Sequence, residues 1–380
     1  MSMSPSTKAY LDKMMSDKGK PADEVEPMTA PPVEEAPATI KHELRGKKLP
    51  AGMMLLSKMM KKAGLKGVIP AVCDIPLPYY DAEKWDESVR GAIPAISDFT
   101  NHIPDWETVL AVATGVALNK VSCTVGPTGA GKTVNAKFLC ALMNMPVFRF
   151  QGKPSMEMCH VVGQPWMHGD GEGMEFNLGP LPLAMTAKYD DDVHGCMFLW
   201  DEYDRTPSEI DMVLQSVLEG GDLIIEDKPG TIADKTIPYP KGFRITATGN
   251  TRGAGDDYDK YNSAQLKDNS TLDRFGVVWY CNYLIPNDEI KMVKASYPEI
   301  SGKVSSNLIK FANLIREGWK GGEISYTFSP RAILNVCEYY NFFDGDMCRA
   351  INMAFMQKLP EVEQGTVKSF YQTVFSSTFR

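Results

Sequence analysis

The chain has 380 residues, 43% hydrophobic and 23% charged, a composition that fits a soluble globular protein of one large or two ordinary domains. Its net charge of −8 argues against a bulk electrostatic affinity for nucleic acid or an anionic membrane. Eight cysteines and five histidines show neither a CxxC pair nor metal-ligand spacing, which points to reduced buried thiols (Cys123, Cys140, Cys196, Cys281) rather than structural zinc. No apolar run reaches the roughly 18 residues of a membrane span. The first residues lack the charged-then-apolar order of a signal peptide, so a cytoplasmic location is expected.

Residues 1–45 read as a disordered tail, because "GKPADEVEPMTAPPVEEAPA" is rich in Pro, Glu and Ala and has little to bury. Residues 46–100 read as a basic helix and an N-terminal extension. Met53, Leu56, Met59 and Met60, with Lys58, Lys61 and Lys62, suggest an amphipathic helix, either docked on the body or facing a partner, nucleic acid or membrane. Residues 101–285 read as the main α/β domain. "PDWETVLAVATGVALNK" is a helix with Asp105 or Thr100 as cap. Four short apolar strands follow with helices between them: 121–125, 196–200, 243–249 and 277–284. That alternation predicts a buried parallel sheet. Residues 286–380 carry helical patterns and no clear strands, and read as a smaller helical lid.

The strongest local signal is "GPTGAGKT", Gly126-Pro127-Thr128-Gly129-Ala130-Gly131-Lys132-Thr133. It lies between a strand and a helix, as a phosphate-cradling P-loop requires. Backbone N–H groups and the positive helix end suit a phosphate. Lys132 is expected to reach the β/γ phosphates of ATP, and Thr133 to bind Mg²⁺. About 70 residues later the strand "CMFLW" ends in Asp201-Glu202. Asp201 fits a metal-holding carboxylate and Glu202 a general base. The next helix, "TPSEIDMVLQSVLEGG", is expected to have Thr206 as N-cap, Pro207 at its first position, Glu209 in a capping box and Gly220 at its end. A β-hairpin is expected over "DLIIEDKPGTIADKTIPYPKG". Asn250 ends the next strand and reads either as a turn residue or as an amide that orients an attacking water. Arg331, in the first turn of the helix capped by Ser329 and started by Pro330, opposes the helix dipole unless a phosphate neutralises it.

The order of phosphate loop, strand-Asp-Glu, strand-Asn, "LDRF" and "SPR" resembles the AAA+ ATPases. "MCHVVGQPWMHGDGEGMEFNLGPL" looks like the inserted hairpin and "F…GPL" element of the MoxR-like branch. "DEYDRTPSEIDMVLQSVLE", "FRITATGNTRGAGD" and "CNYLIPNDEIKMV" resemble the small ATPase subunits of aerobic cobaltochelatases, the CobS type, and the likeness runs from about residue 69 onward. It implies a P-loop NTPase core with inserted β-hairpins and a C-terminal lid, assembled as a homo-oligomeric, hexameric ring with ATP and Mg²⁺ between subunits. It also implies Asp201 and Glu202 as the Walker B pair, Asn250 as sensor 1, Arg331 as sensor 2, and Arg274 as an arginine finger to the neighbour. Relatives act with a von Willebrand A-type partner, and CobS-like proteins also occur in phage genomes. The chain has "ATGN" where the family usually has "ATAN". Arg205 and Arg252 read as further trans cations or as surface charge. The expected function is an ATP-driven remodelling motor; a nucleic-acid-acting ATPase and an ATP-binding ring with little turnover are the alternatives.

Overall fold

The computed structural model describes residues 49–167, 174–253 and 264–379. The chain divides into two compact units, residues 1–50 and 51–380. The tail expected at 1–45 lies outside the described residues, and every described element belongs to the second unit.

A short strand β1 (Met53–Leu55) leads into helix α1 (Leu56–Lys62), and β1 pairs antiparallel with β2 (Pro76–Pro78). Leu56, Met59 and Met60 are buried in the main core. The apolar face of the basic segment is therefore spent on packing, while Lys61 and Lys62 lie in the last turn, where cations complement the dipole.

Five parallel strands form the central sheet: β3 (Ser122–Val125), β4 (Val147–Gln151), β7 (Met197–Asp201), β10 (Arg244–Gly249) and β11 (Val277–Tyr280). Their spatial order is β11-β3-β10-β7-β4. Every residue of β3 and β7 is buried, which is why both read as continuous apolar runs without alternation. Helix α2 (Trp106–Leu118) packs across β3, β10 and β11, and α3 (Lys132–Met143) packs beside α2. Strand β4 has no counterpart among the expected strands. It is a five-residue edge strand, and its "VFRFQ" carries too few apolar residues to stand out. Strand β11 stops at Tyr280 rather than 284, and Val278, Trp279 and Tyr280 are exposed along this edge.

Antiparallel hairpins interrupt the sheet, two of them where hairpins were expected. Strands β5 (Gly163–Met167) and β6 (Met174–Leu178) pair antiparallel, and helix α4 (Pro180–Thr186) follows. Helix α5 (Ser208–Leu218) precedes β8 (Leu223–Ile224) and β9 (Thr236–Ile237), which also pair antiparallel. Ile210, Leu214, Val217 and Leu218 supply the buried face of α5, and Gly220 follows its end with φ +86°. The expected cap is a correction. Pro207, not Thr206, occupies the N-cap position, without a side-chain cap bond, because the Thr206 hydroxyl accepts from Trp200 Nε1 at 2.9 Å. Asp105 does hold the N-cap position of α2, but its carboxylate accepts from the Thr108 hydroxyl rather than from a backbone N–H.

After α6 (Asn269–Asp273) and β11, the chain continues as α7 (Pro286–Ser296), α8 (Gly302–Lys320), α9 (Pro330–Phe342), α10 (Met347–Ala354) and α11 (Glu361–Phe375). These helices enclose a second hydrophobic core that includes Leu308, Phe311, Phe328, Val336, Phe355 and Val367. Within it, Arg316 donates to both oxygens of Glu289, at 2.8 and 2.7 Å, with the two side chains 5% and 0% exposed. Arg316 Nε also donates to the Phe328 carbonyl at 2.8 Å. Removing one member of such a pair leaves an uncompensated buried charge. Glu289→Ala should therefore cost roughly 3–5 kcal/mol in urea denaturation. A loss below about 1 kcal/mol would contradict this reading.

Candidate functional site

Strand β3 ends at Val125 and the chain turns at Gly126. A Cβ on Gly126 would lie 2.0 Å from the Cys281 carbonyl oxygen, and one on Gly129 would lie 2.8 Å from Ser329 Cβ. Both positions exclude a side chain, so the loop runs between the end of β11 and the start of α9. Tyr283 adds a second tie. Its hydroxyl donates to the Thr128 carbonyl and lies 3.1 Å from the Thr327 hydroxyl, while the Arg316 guanidinium covers its ring at 4.2 Å. Helix α3 then begins at Lys132 with no side-chain cap and no acidic residue in its first turn. Its first N–H groups have no intrahelical partner, and with the dipole they make a cradle for an anion.

Lys132 is 7% exposed. Its Nζ donates to the carbonyls of Gly126 (2.7 Å) and Pro127 (2.9 Å) and to Asn250 Oδ1 (3.2 Å). Burial pushes its pKa down, opposed by the surrounding Cys281, Asp204, Asp201 and Glu202. The ammonium is thus held by neutral acceptors that phosphate oxygens can replace. Asn250 follows β10 and is fixed from behind by Asp204. The Asp204 Oδ2 accepts from Asn250 N and Thr251 N at 2.8 Å each and from the Thr251 hydroxyl at 3.0 Å.

Asp201 closes β7. One of its oxygens accepts from the Thr133 hydroxyl at 2.7 Å and from the Thr248 hydroxyl. The other accepts from Arg149 Nε at 2.7 Å and lies in an ion pair 2.5 Å from Arg149 Nη2. A carboxylate against a threonine hydroxyl, at the mouth of an anion cradle, is the hard-oxygen set that Mg²⁺ takes together with phosphate and water. These residues therefore fit a metal-bound polyphosphate. Glu202 has left-handed backbone angles, φ +54° and ψ +46°. Its Oε2 accepts from Gln151 Nε2 at 3.1 Å and Arg205 Nη1 at 3.3 Å.

Lys132, Thr133, Asp201, Glu202 and Asn250 converge at the C-terminal ends of β3, β7 and β10, where open α/β sheets place ligands. Arg274 and Arg331 do not join them. Arg274 Nη2 pairs with Glu219 at 2.6 Å and Nη1 donates to the Ser270 carbonyl. Arg331 is exposed and makes no ion pair with a described residue, although the Ser329 contact places its helix start over Gly129. Arg205 belongs to the site through Glu202, whereas Arg252 lies 5.3 Å from the Tyr280 ring. Sequence reasoning missed Arg149, Gln151 and Asp204. The first two were signalled by the alternation Phe148-Arg149-Phe150-Gln151, which puts both polar residues on one face of a strand.

The family description "AAA domain (dynein-related subfamily)" matches residues 122–275. The chain is similar to the aerobic cobaltochelatase subunit CobS of Sinorhizobium sp, 30% identical over 298 residues that cover 74% of this chain and 86% of that protein. It is also similar to von Willebrand factor A domain-containing protein 8 of Mus musculus, 22% identical over 58% of this chain but only 11% of that protein. Among solved structures it is similar to the RuvB Holliday junction branch migration motor of Thermotoga maritima, 14% identical over 69% of this chain and 72% of that one, with a TM-score of 0.40.

The Asp204 brace generates its own expectation. Asp204→Ala would strand two N–H donors and a hydroxyl in the interior and should lower stability by about 1–3 kcal/mol in thermal or urea melts. An unchanged melting curve would show that the brace is not needed.

Proposed function

We propose a function that starts from the family: the chain belongs to the AAA+ ATPases of the CobS type, and it acts as a ring-forming motor that hydrolyses Mg-ATP to remodel a partner protein. The observation that carries this reading is the convergence of Lys132, Thr133, Asp201, Glu202 and Asn250 at one end of the sheet.

Each residue has a role that its position supports. The amides of the Gly126–Thr133 loop and the N-terminus of α3 bind and orient the phosphates. Lys132 exchanges its carbonyl acceptors for phosphate oxygens. Thr133 and Asp201 would hold Mg²⁺, which would supply charge neutralisation to the phosphates. Glu202 takes a proton from the attacking water, and Gln151 and Arg205 set its orientation beforehand. Asn250 holds that water in line, with Asp204 fixing its backbone.

Arg274 makes its contacts away from its own chain's phosphate loop, which supports its service as a finger to a neighbour's γ-phosphate in a hexameric ring. Arg331 is free to close over the phosphate from the lid. The likeness to CobS and to a von Willebrand A-domain protein supports a partner of the von Willebrand A type. No contact among the described residues speaks for a nucleic acid over such a partner.

Glu202→Gln should bind ATP with near-normal affinity while turnover falls by roughly 10²–10⁴; a steady-state phosphate-release assay beside a nucleotide-binding assay measures both. Near-normal turnover would remove Glu202 as the base. Arg274→Ala should lose about 10³–10⁵ in rate and keep nucleotide binding. Mixed with Lys132→Ala protein it should recover part of the activity, because some interfaces then carry an intact loop facing an intact finger. No recovery at any ratio would argue against donation in trans.

A further inference from the structure

Asp201 is 4% exposed, and each of its oxygens is engaged. The Thr133 and Thr248 hydroxyls saturate Oδ1, and two guanidinium nitrogens of Arg149 occupy Oδ2. A buried carboxylate needs a cation or strong donors beside it to offset the cost of burial. Lys132 is near enough to act on Asp201 through its charge, but its hydrogen bonds go to two carbonyls and Asn250. Among the described residues, Arg149 is the one cation that pairs with Asp201.

We propose that Arg149 is a built-in stand-in for the divalent cation: it holds Asp201 in place before nucleotide arrives, and it competes with the metal for Oδ2. The proposal rests on Asp201 being the metal-side carboxylate, and it adds a positioning residue to that site. Three features support competition over a permanent structural pin. The Arg149 side chain is 40% exposed, and β4 is the edge strand of the sheet, so the guanidinium has a way out to solvent. The register of β4 on β7 pairs Arg149 with Leu199 and Gln151 with Asp201. Arg149 therefore reaches forward past its own partner to grip the carboxylate, a reach that a cross-strand contact does not require. Finally, Mg²⁺ demands near-octahedral oxygen ligation, and an oxygen that accepts one guanidinium N–H and lies 2.5 Å from a second guanidinium nitrogen has its open side covered against the metal and its bound water. Arrival of the metal must loosen at least one of these contacts.

The competition has a direction. With Arg149 present, Asp201 is neutralised without metal, so a polyphosphate can enter before Mg²⁺ does. Without Arg149, Asp201 repels metal-free nucleotide and attracts Mg²⁺ more strongly. Both changes make binding depend more steeply on the metal.

The test uses the full chain and a fluorescent ADP analogue, with Kd measured in EDTA and across a Mg²⁺ titration, and a thermal melt as a check on folding. For Arg149→Gln the ratio of Kd in EDTA to Kd in Mg²⁺ should rise about tenfold or more, the scale of one charge-assisted hydrogen bond. The Mg²⁺ concentration at half-saturation should fall. Arg149→Lys, which keeps the charge on the same strand, should return both values toward wild type and covers the case in which the glutamine variant folds poorly. In an Asp201→Asn background, Arg149→Gln should change neither value. The role is overturned if Arg149→Gln leaves the ratio within about twofold of wild type while Asp201→Asn shifts it, or if the half-saturating Mg²⁺ rises. If Asp201→Asn itself leaves the metal dependence unchanged, the metal-side reading of Asp201 fails and the role of Arg149 falls with it.

Discussion

The phosphate loop is held by contact on two sides, and each contact exists because a side chain is missing. Gly126 lies against the carbonyl of Cys281, and Gly129 against Ser329. A methyl group at either glycine would push the loop off the end of the sheet or off the helix that follows residue 329. Everything else in the site is measured from that loop. The direction of the Lys132 side chain, the start of α3 and the reach of the Thr133 hydroxyl to Asp201 depend on where the loop sits.

The same confinement links the loop to the helical region. Tyr283 meets a loop carbonyl and the hydroxyl of Thr327, and its ring is covered by the guanidinium that Glu289 grips. The segment after β11 is therefore a strut with polar contacts at both ends. A change in the loop has a short physical route to α9, whose second residue is Arg331. That route consists of one hydrogen bond to the loop, a hydroxyl contact with Thr327 and a ring lying under the Arg316 guanidinium.

Much of this was readable from the chain. The phosphate loop is contiguous, so its place between strand and helix could be read directly. Asp201 and Glu202 follow an apolar run that is buried on both faces, and Ser329-Pro330 announce a helix start. What escaped were residues whose meaning depends on a neighbour in space. Arg149 and Gln151 sit on a half-exposed edge strand of five residues, too short for its alternation to be trusted, and their targets lie some fifty positions away. Asp204 has no local pattern to mark it, yet its carboxylate accepts from the backbone N–H groups of Asn250 and Thr251. Thr206 fitted a capping pattern but was taken by Trp200, since a buried indole N–H must also find an acceptor. Arg274 stands apart, because its suggested role came from likeness to a family and not from spacing, whereas Arg331 was already marked by its place at a helix start.

Glu202 sits in a left-handed backbone conformation that an L-residue adopts at a cost of roughly 1–2 kcal/mol. The turn is forced, because the chain must leave the end of β7 sharply, and Gly152 passes so close to the Glu202 carbonyl that a Cβ there would lie 2.3 Å away. Glycine or asparagine would suit that corner better than glutamate. The position is one at which mutation toward a sturdier fold and mutation toward inactivity coincide. Screens that select this protein for thermal tolerance alone would be expected to drift toward replacing Glu202, and so to erode the chemistry while improving the scaffold.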